Sequence, residues 1–139
     1  GGDIMPNKKH GFTLIELVIV VAILGILASI AIPRFLDAQA TARGSKIVAD
    51  MRTLESAFSL YLMDNSVSLG EHDAAILVTG TKKYMAAIPA VPAGTAKFPN
   101  GQELDLPSTA TYKLYKHSSF TDVALAWDGY DWPLSYLTK

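Results

Sequence analysis

From Phe12 to Pro33 the chain runs for 22 residues with a single charge, that of Glu16. As an α-helix rising about 1.5 Å per residue, Phe12 to Ile32 would reach about 31 Å, the depth of a bilayer's hydrocarbon core. Past Pro33 the pattern changes. Ile47, Met51, Leu54, Phe58 and Tyr61 recur at spacings of three and four, while Arg43, Lys46, Asp50, Arg52 and Glu55 occupy mostly other directions. No proline falls between Ala38 and Met63, so the spacing predicts an amphipathic helix that continues the first and ends near Asp64 and Asn65. Its apolar stripe covers only about two heptads, too few for a coiled coil, so the partner is the rest of the same chain. Gly25 and Pro33 weaken the helix between them. A bend is expected there when helices bundle outside lipid, whereas lipid penalises unpaired backbone and keeps the helix continuous.

Beyond Asn65 the signals shorten. Asp73 is placed to cap a turn through Ala74 to Val78, Gly80 to stop it, and Lys82 to Ile88 to form one more turn before Pro89. Six prolines and glycines from Pro89 to Pro107 then predict a long irregular connection. Tyr112 to Lys116 and Phe120 to Trp127 alternate as strands about a His117-Ser118-Ser119 turn, and such a hairpin needs the helix stripe beneath it. The aromatic C-terminus, Trp127, Tyr130, Trp132 and Tyr136 with Pro133, Leu134 and Leu137, is expected to close the core. The fold class is α+β: a long N-terminal α-helix, membrane-spanning in its first half and amphipathic in its second, packed against a small C-terminal head with a short antiparallel sheet or hairpin.

Composition narrows the function classes. Twelve lysines and arginines nearly balance 13 aspartates and glutamates among 139 residues, so charge points to neither nucleic acid nor a polybasic membrane patch. There is no cysteine, hence no disulfide and no thiol chemistry. Lys8, Lys9 and His10 precede the span and orient it N-in, C-out. The span ends in Pro33-Arg34-Phe35 instead of a small-residue cleavage pattern, which disfavours an ordinary secretory signal. Glu16 is the residue that a plain anchor does not explain. A carboxylate in a span costs up to about 2.5 to 3.5 kcal/mol at mid-depth and less near the surface, so Glu16 is either wetted at headgroup depth or paired with an amine. A cut between Gly11 and Phe12 would create such an amine.

Lys8 to His10, Gly11, Phe12, Thr13, Leu14, Ile15, Glu16 and the apolar run through Pro33 resemble the class III signal and N-terminal helix of type IV pilins and type II secretion pseudopilins. The resemblance is specific over roughly residues 8–60 and weak beyond. It implies a leader over 1–11, a membrane and filament-core segment over 12–34, a head-packed helix over 35–63 and a globular head over 64–139. Residues 1–4 precede a possible start at Met5. It further implies cleavage between Gly11 and Phe12 by a prepilin peptidase, N-methylation of Phe12 by the same enzyme, and pairing of Glu16 with the Phe12 amine of a neighbouring subunit. Gly25 and Pro33 match the positions between which the helix loosens in filaments. The implied partners are further copies of the chain, the peptidase, membrane lipid before assembly and an inner-membrane assembly platform. The implied location is an inner-membrane precursor and then a periplasmic or extracellular filament.

Asp122, Asp128 and Asp131, with Glu103 and Asp105, are oxygen ligands suited to calcium, and the major pseudopilins hold calcium in a late loop. No EF-hand spacing is present, and a solvated acidic face is the competing reading. His72 and His117 belong to no serine, cysteine or paired-carboxylate pattern in the sequence, which argues against catalysis. Three functions remain in view. The first is a major pilus subunit. The second is the major pseudopilin of a type II secretion or DNA-uptake system. A membrane-tethered binding or enzymatic domain is the third.

Overall fold

The computed structural model describes residues 11–139. Lys8, Lys9, His10 and all of the expected leader except Gly11 lie outside the described residues. Internal contacts divide the chain into two units, one ending at Asp37 and one running Ala38–Lys139. A single helix, α1, runs Leu14–Asp64 with Pro33 inside it.

In the first unit the side chains of α1 have nothing to pack against, and its leucines, isoleucines and valines are exposed all round. Among the described residues this is the one helix long and apolar enough to cross a membrane. The helix passes through Gly25 and Pro33 unbroken. Ser29 is the polar interruption in its middle, and its hydroxyl donates to the Ile26 carbonyl at 2.6 Å, satisfying itself within its own turn.

The second unit is built on the amphipathic half of α1. Ile47, Met51, Leu54 and Phe58 are fully buried, with Ala40, Gly44, Val48 and Ala57 completing the stripe. Over it lies an antiparallel sheet in the order β1-β4-β5-β6, formed by Gly70–Asp73, Thr111–Lys116, Thr121–Trp127 and Tyr130–Pro133. The hairpin expected from sequence is β4–β5, with Leu114 opposite Val123 and Tyr112 opposite Leu125. Those four side chains join Ile47, Met51, Leu54 and Phe58 in one hydrophobic cluster, so the sheet supplies the partner that the helix stripe requires. Asp73 caps a short 3-10 turn, Ala74–Leu77, by accepting from the Ala75 amide at 2.9 Å.

Several expectations are corrected. Lys82 to Ile88 forms no helical turn. Seven residues ahead of a proline gain too few hydrogen bonds to nucleate one, and Lys82 and Tyr84 instead reach back to Asp64 at 2.6 and 2.9 Å. The connection before Pro107 is not irregular throughout. Gly94–Lys97 (β2) and Glu103–Leu106 (β3) form an antiparallel ribbon that turns Ala96, Leu104 and Leu106 inward. The aromatic C-terminus closes the core only in part. Leu134 and Leu137 of the one-turn helix α2 (Leu134–Leu137) are buried, whereas Tyr130 and Tyr136 are exposed. A spacing of three puts both leucines on one face of α2 and leaves Tyr136 on another.

The ribbon reaches α1 at a point that only glycine permits. A Cβ at Gly44 would overlap the Lys97 carbonyl oxygen. One residue earlier, Arg43 donates to the Thr95 carbonyl at 3.2 Å. In an isolated helix, Gly44→Ala would gain about 1 kcal/mol of propensity. Here the obstacle is backbone, so we expect a net loss of about 1 to 3 kcal/mol, the usual cost of overpacking. Chemical unfolding of the detergent-solubilised chain measures it, with the exposed Thr53→Ala on the same helix staying within about 0.5 kcal/mol of the parent.

Candidate assembly site at the head of the apolar helix

Gly11, Phe12 and Thr13 precede α1 without regular structure, and the helix begins at Leu14. Phe12 is 81% exposed, and the space around Gly11 is open. The peptide bond between them therefore lies outside the helix, where an enzyme could bind it extended. Thr13 and Glu16 form a reciprocal cap. The Thr13 amide donates to Glu16 Oε2 at 3.1 Å, and the Glu16 amide donates to Thr13 Oγ1 at 3.2 Å. The Leu17 amide donates to the Thr13 carbonyl at 3.1 Å, starting the helical ladder. Two amides that a helix start leaves without partners are thus satisfied by two side chains.

This cap is a role for Glu16 that neither water nor an amine supplies. The carboxylate is held by the chain's own first turn, next to the positive end of the helix dipole. The signal stood in the sequence as Thr13-Leu14-Ile15-Glu16, a threonine with a glutamate three residues on ahead of an apolar run. Phe12, Thr13 and Glu16 are brought within one turn. Gly25 and Pro33 stay inside the regular helix.

Asp128 and Asp131 line a groove together with Glu71, whereas Asp122, Glu103 and Asp105 lie elsewhere in the head. Asp122 is buried on β5, where Oδ1 accepts from the Val123 amide at 2.9 Å and Oδ2 from the Ser135 hydroxyl at 2.8 Å, tying β5 to α2. Asp131 accepts from the Tyr115 hydroxyl across the sheet. Asp128 occupies the β5–β6 turn, and Glu103 and Asp105 belong to the separate β2–β3 ribbon. Among the described residues no group of three or more His, Cys, Asp or Glu is placed to hold a metal ion. Calcium needs six to eight oxygens, and the residues present do not fit it.

Other polar groups of the head make local contacts. His72 contacts the Ser68 carbonyl at 2.8 Å, and His117 stacks on Phe120 with ring centroids 4.2 Å apart. Lys113 pairs with Glu71 at 2.7 Å, holding that carboxyl below its ordinary range, and the Tyr115 hydroxyl lies 3.2 Å from the other Glu71 oxygen. Burial, then the carboxylate of Asp131, pushes the Tyr115 phenol up. Asp64 is lowered by Lys82 and then by Tyr84. The Tyr112 hydroxyl is buried near Asp50 without a partner in hydrogen-bonding geometry, and burial followed by the Asp50 charge pushes it up.

The described residues combine an apolar helix long enough to cross a membrane, capped at its exposed start, with a small β-sheet head. Residues 6–32 match the family described as the prokaryotic N-terminal methylation motif. The type II secretion system core protein G of Vibrio cholerae is 48% identical over 61 residues, 44% of this chain and 42% of that protein. The Klebsiella pneumoniae core protein G is 41% identical over 60 residues, 43% of each chain. A probable minor fimbrial protein of Dichelobacter nodosus is 29% identical over 129 residues, 87% of this chain and 81% of that protein. The match thus spans about two fifths of the length of the secretion-system relatives. No solved structure matches. The chain thus carries the prokaryotic N-terminal methylation motif and is similar, over about 60 residues, to type II secretion system core proteins.

The cap can be tested apart from assembly. Thr13→Ala removes one of its two hydrogen bonds and should cost about 1 kcal/mol at the helix start. Amide hydrogen exchange in detergent should speed several-fold at Glu16 and stay unchanged at Ile23, and Thr13→Ser should behave as the parent.

Proposed function

We propose that this chain is a pseudopilin of the type II secretion type, a subunit that polymerises through its N-terminal helix into a short helical filament. The observation that carries this reading is the 48% identity over 61 residues to a secretion-system core protein. It supports the pseudopilin over the major pilus subunit that the sequence first suggested. The longer alignment to a minor fimbrial protein favours a second reading, a fimbrial subunit.

In the proposed cycle, residues 1–11 are the leader, 12–34 the membrane and filament-core segment, 35–63 the head-packed helix and 64–139 the head. A membrane peptidase cuts between Gly11 and Phe12 and methylates the new Phe12 amine. The cut places a cation one peptide unit from the Thr13 amide that already holds Glu16. In the membrane, Glu16 is satisfied by its own first turn. In the filament it turns to the Phe12 amine of a neighbour, and exposed apolar side chains from many copies replace lipid as one another's environment. Ala22, Gly25, Ala28, Ser29 and Ala31 are small enough to let helices approach closely.

Processing is decided by intact mass and N-terminal sequencing. The mature chain should begin at a methylated Phe12, and Gly11→Leu should leave an uncut, membrane-bound and unassembled precursor. A mature terminus within residues 1–10 or beyond Pro33 would exclude the scheme.

Glu16→Gln separates the two roles of the carboxylate. Glutamine keeps the cap, because its amide oxygen accepts from Thr13, but it cannot neutralise an amine. Removing one partner of a buried ion pair costs about 3 to 5 kcal/mol. Processed chain should accumulate normally while sheared filament falls to a few per cent of the parent. Parent-like filament yield would refute the intersubunit pair and leave the cap as the sole role of Glu16. Electron micrographs of the parent then discriminate short rods, expected here, from micrometre fibres, which favour the fimbrial reading.

A further inference from the structure

The head carries two exposed patches of opposite character that share no residue. The first lies at the β5–β6 end of the sheet. It is a groove of about 430 Å³ lined by Glu71, Asp128 and Asp131, with Trp127 and Tyr130 beside them and Lys113 as the one cation. Lys113 is already bound to Glu71, which leaves the groove net acidic. Asp128 and Gly129 both have positive φ, 47° and 82°, forming a tight turn that holds Asp128 out into solvent and leaves Tyr130 63% exposed. Among the described residues Asp128 makes no ion pair.

The second patch lies at the end of α1. Leu60 and Met63 are 54% and 80% exposed, and with Asp64, Lys82, Lys83 and Tyr84 they line a hollow of about 310 Å³. Lys82 is tied to Asp64 at 2.6 Å, so the loop carrying Lys83 is fixed against the helix end. Lys83 makes no ion pair among the described residues. The two faces complement each other. One offers an unpaired cation, Lys83, beside flexible apolar side chains, and the other offers carboxylates beside aromatic faces that accept both.

We infer that the Leu60–Met63–Lys83 patch of one subunit docks into the Asp128–Tyr130–Asp131 groove of the next copy of this chain. A contact between two different patches on identical chains is heterologous, and when its rotation does not close it propagates as a filament. The inference rests on the polymerising role proposed above and adds a head-to-head contact to the helix-to-helix one. It also accounts for charges left unpaired at both patches, which a contact of like patches would set against each other.

The chain lacks cysteine, so the contact can be trapped by introduced thiols without background. The full-length chain carrying Lys83→Cys with Asp128→Cys is assembled in cells, and sheared filaments are treated with a short bismaleimide. A ladder of covalent multimers is expected, with monomer alone from either single substitution. Filaments at parent yield with no ladder, or dimers from a single substitution, would overturn the contact while leaving the polymerising role intact. Absence of filaments from the parent chain would remove both. A second measurement is Lys83→Glu, which should lower filament yield several-fold at an unchanged processed membrane pool. If it lowers the membrane pool instead, the patch binds anionic lipid and the contact is overturned.

Discussion

One helix has to satisfy two solvents. Over its first unit α1 presents apolar side chains on every face, which is stable only where lipid or other apolar helices surround it, because no part of the described first unit covers them. Over the second unit the same helix presents a stripe, and the head exists to cover that stripe. The features of the head follow from this demand. Leu114, Val123 and Leu125 supply a sheet face, and Leu104 and Leu106 of the β2–β3 ribbon help enclose the same cluster. Gly44 lets the ribbon backbone come close enough to do so.

At the other end, the helix needs a beginning that tolerates low dielectric. A helix start leaves amides without partners, and in an apolar medium each is costly. Thr13 and Glu16 remove two of these debts with a threonine and a carboxylate. The carboxylate also suits the helix dipole, so a charge that looks misplaced in a span becomes tolerable at its first turn. It follows that Glu16 need not await a neighbour to be stable in the membrane. The intersubunit ion pair proposed above must then offer more than the cap does, and under the proposed cleavage a cation at Phe12 would be a partner of the right sign. On that proposal no such cation exists before cleavage, which would give processing a physical reason to precede assembly.

The sequence made the helices legible because their periodicity is long. Ile47, Met51, Leu54 and Phe58 proclaim one face over three turns, and the β4–β5 hairpin could be read because Tyr112 and Leu114 alternate with lysine and tyrosine. The other strands were hidden for identifiable reasons. β1 is Gly-Glu-His-Asp, a polar edge strand whose charges protect an open edge and erase the usual β signature. β2 and β3 are four residues each among prolines and glycines, and the alternation of Leu104 and Leu106 was too short to stand out. β6 did have a signal, since Asp128-Gly129 between Trp127 and Tyr130 is strong hairpin chemistry. The Thr13–Glu16 cap carries a signal of the same local kind, a threonine three residues ahead of a glutamate at the start of an apolar run.

Without cysteine, the head is closed by polar ties as well as by apolar packing. Asp122 spends both oxygens on the Val123 amide and the Ser135 hydroxyl, which fastens the last turn of chain to the central strand. Tyr115 ties β4 to Asp131 of β6 and to Glu71 of β1, so one phenol spans three strands of the sheet. Lys82 and Tyr84 fasten the loop after the 3-10 turn to the end of α1 through Asp64. Each tie brings two or more segments together with hydrogen bonds whose partners are charged, the stronger kind. They also determine where charge is left over. Asp64, Glu71, Asp122 and Asp131 are engaged by these ties, while Asp128 and Lys83, which lie beyond them, remain available at separate patches. The same polar ties therefore leave the head with directional charge at its surface.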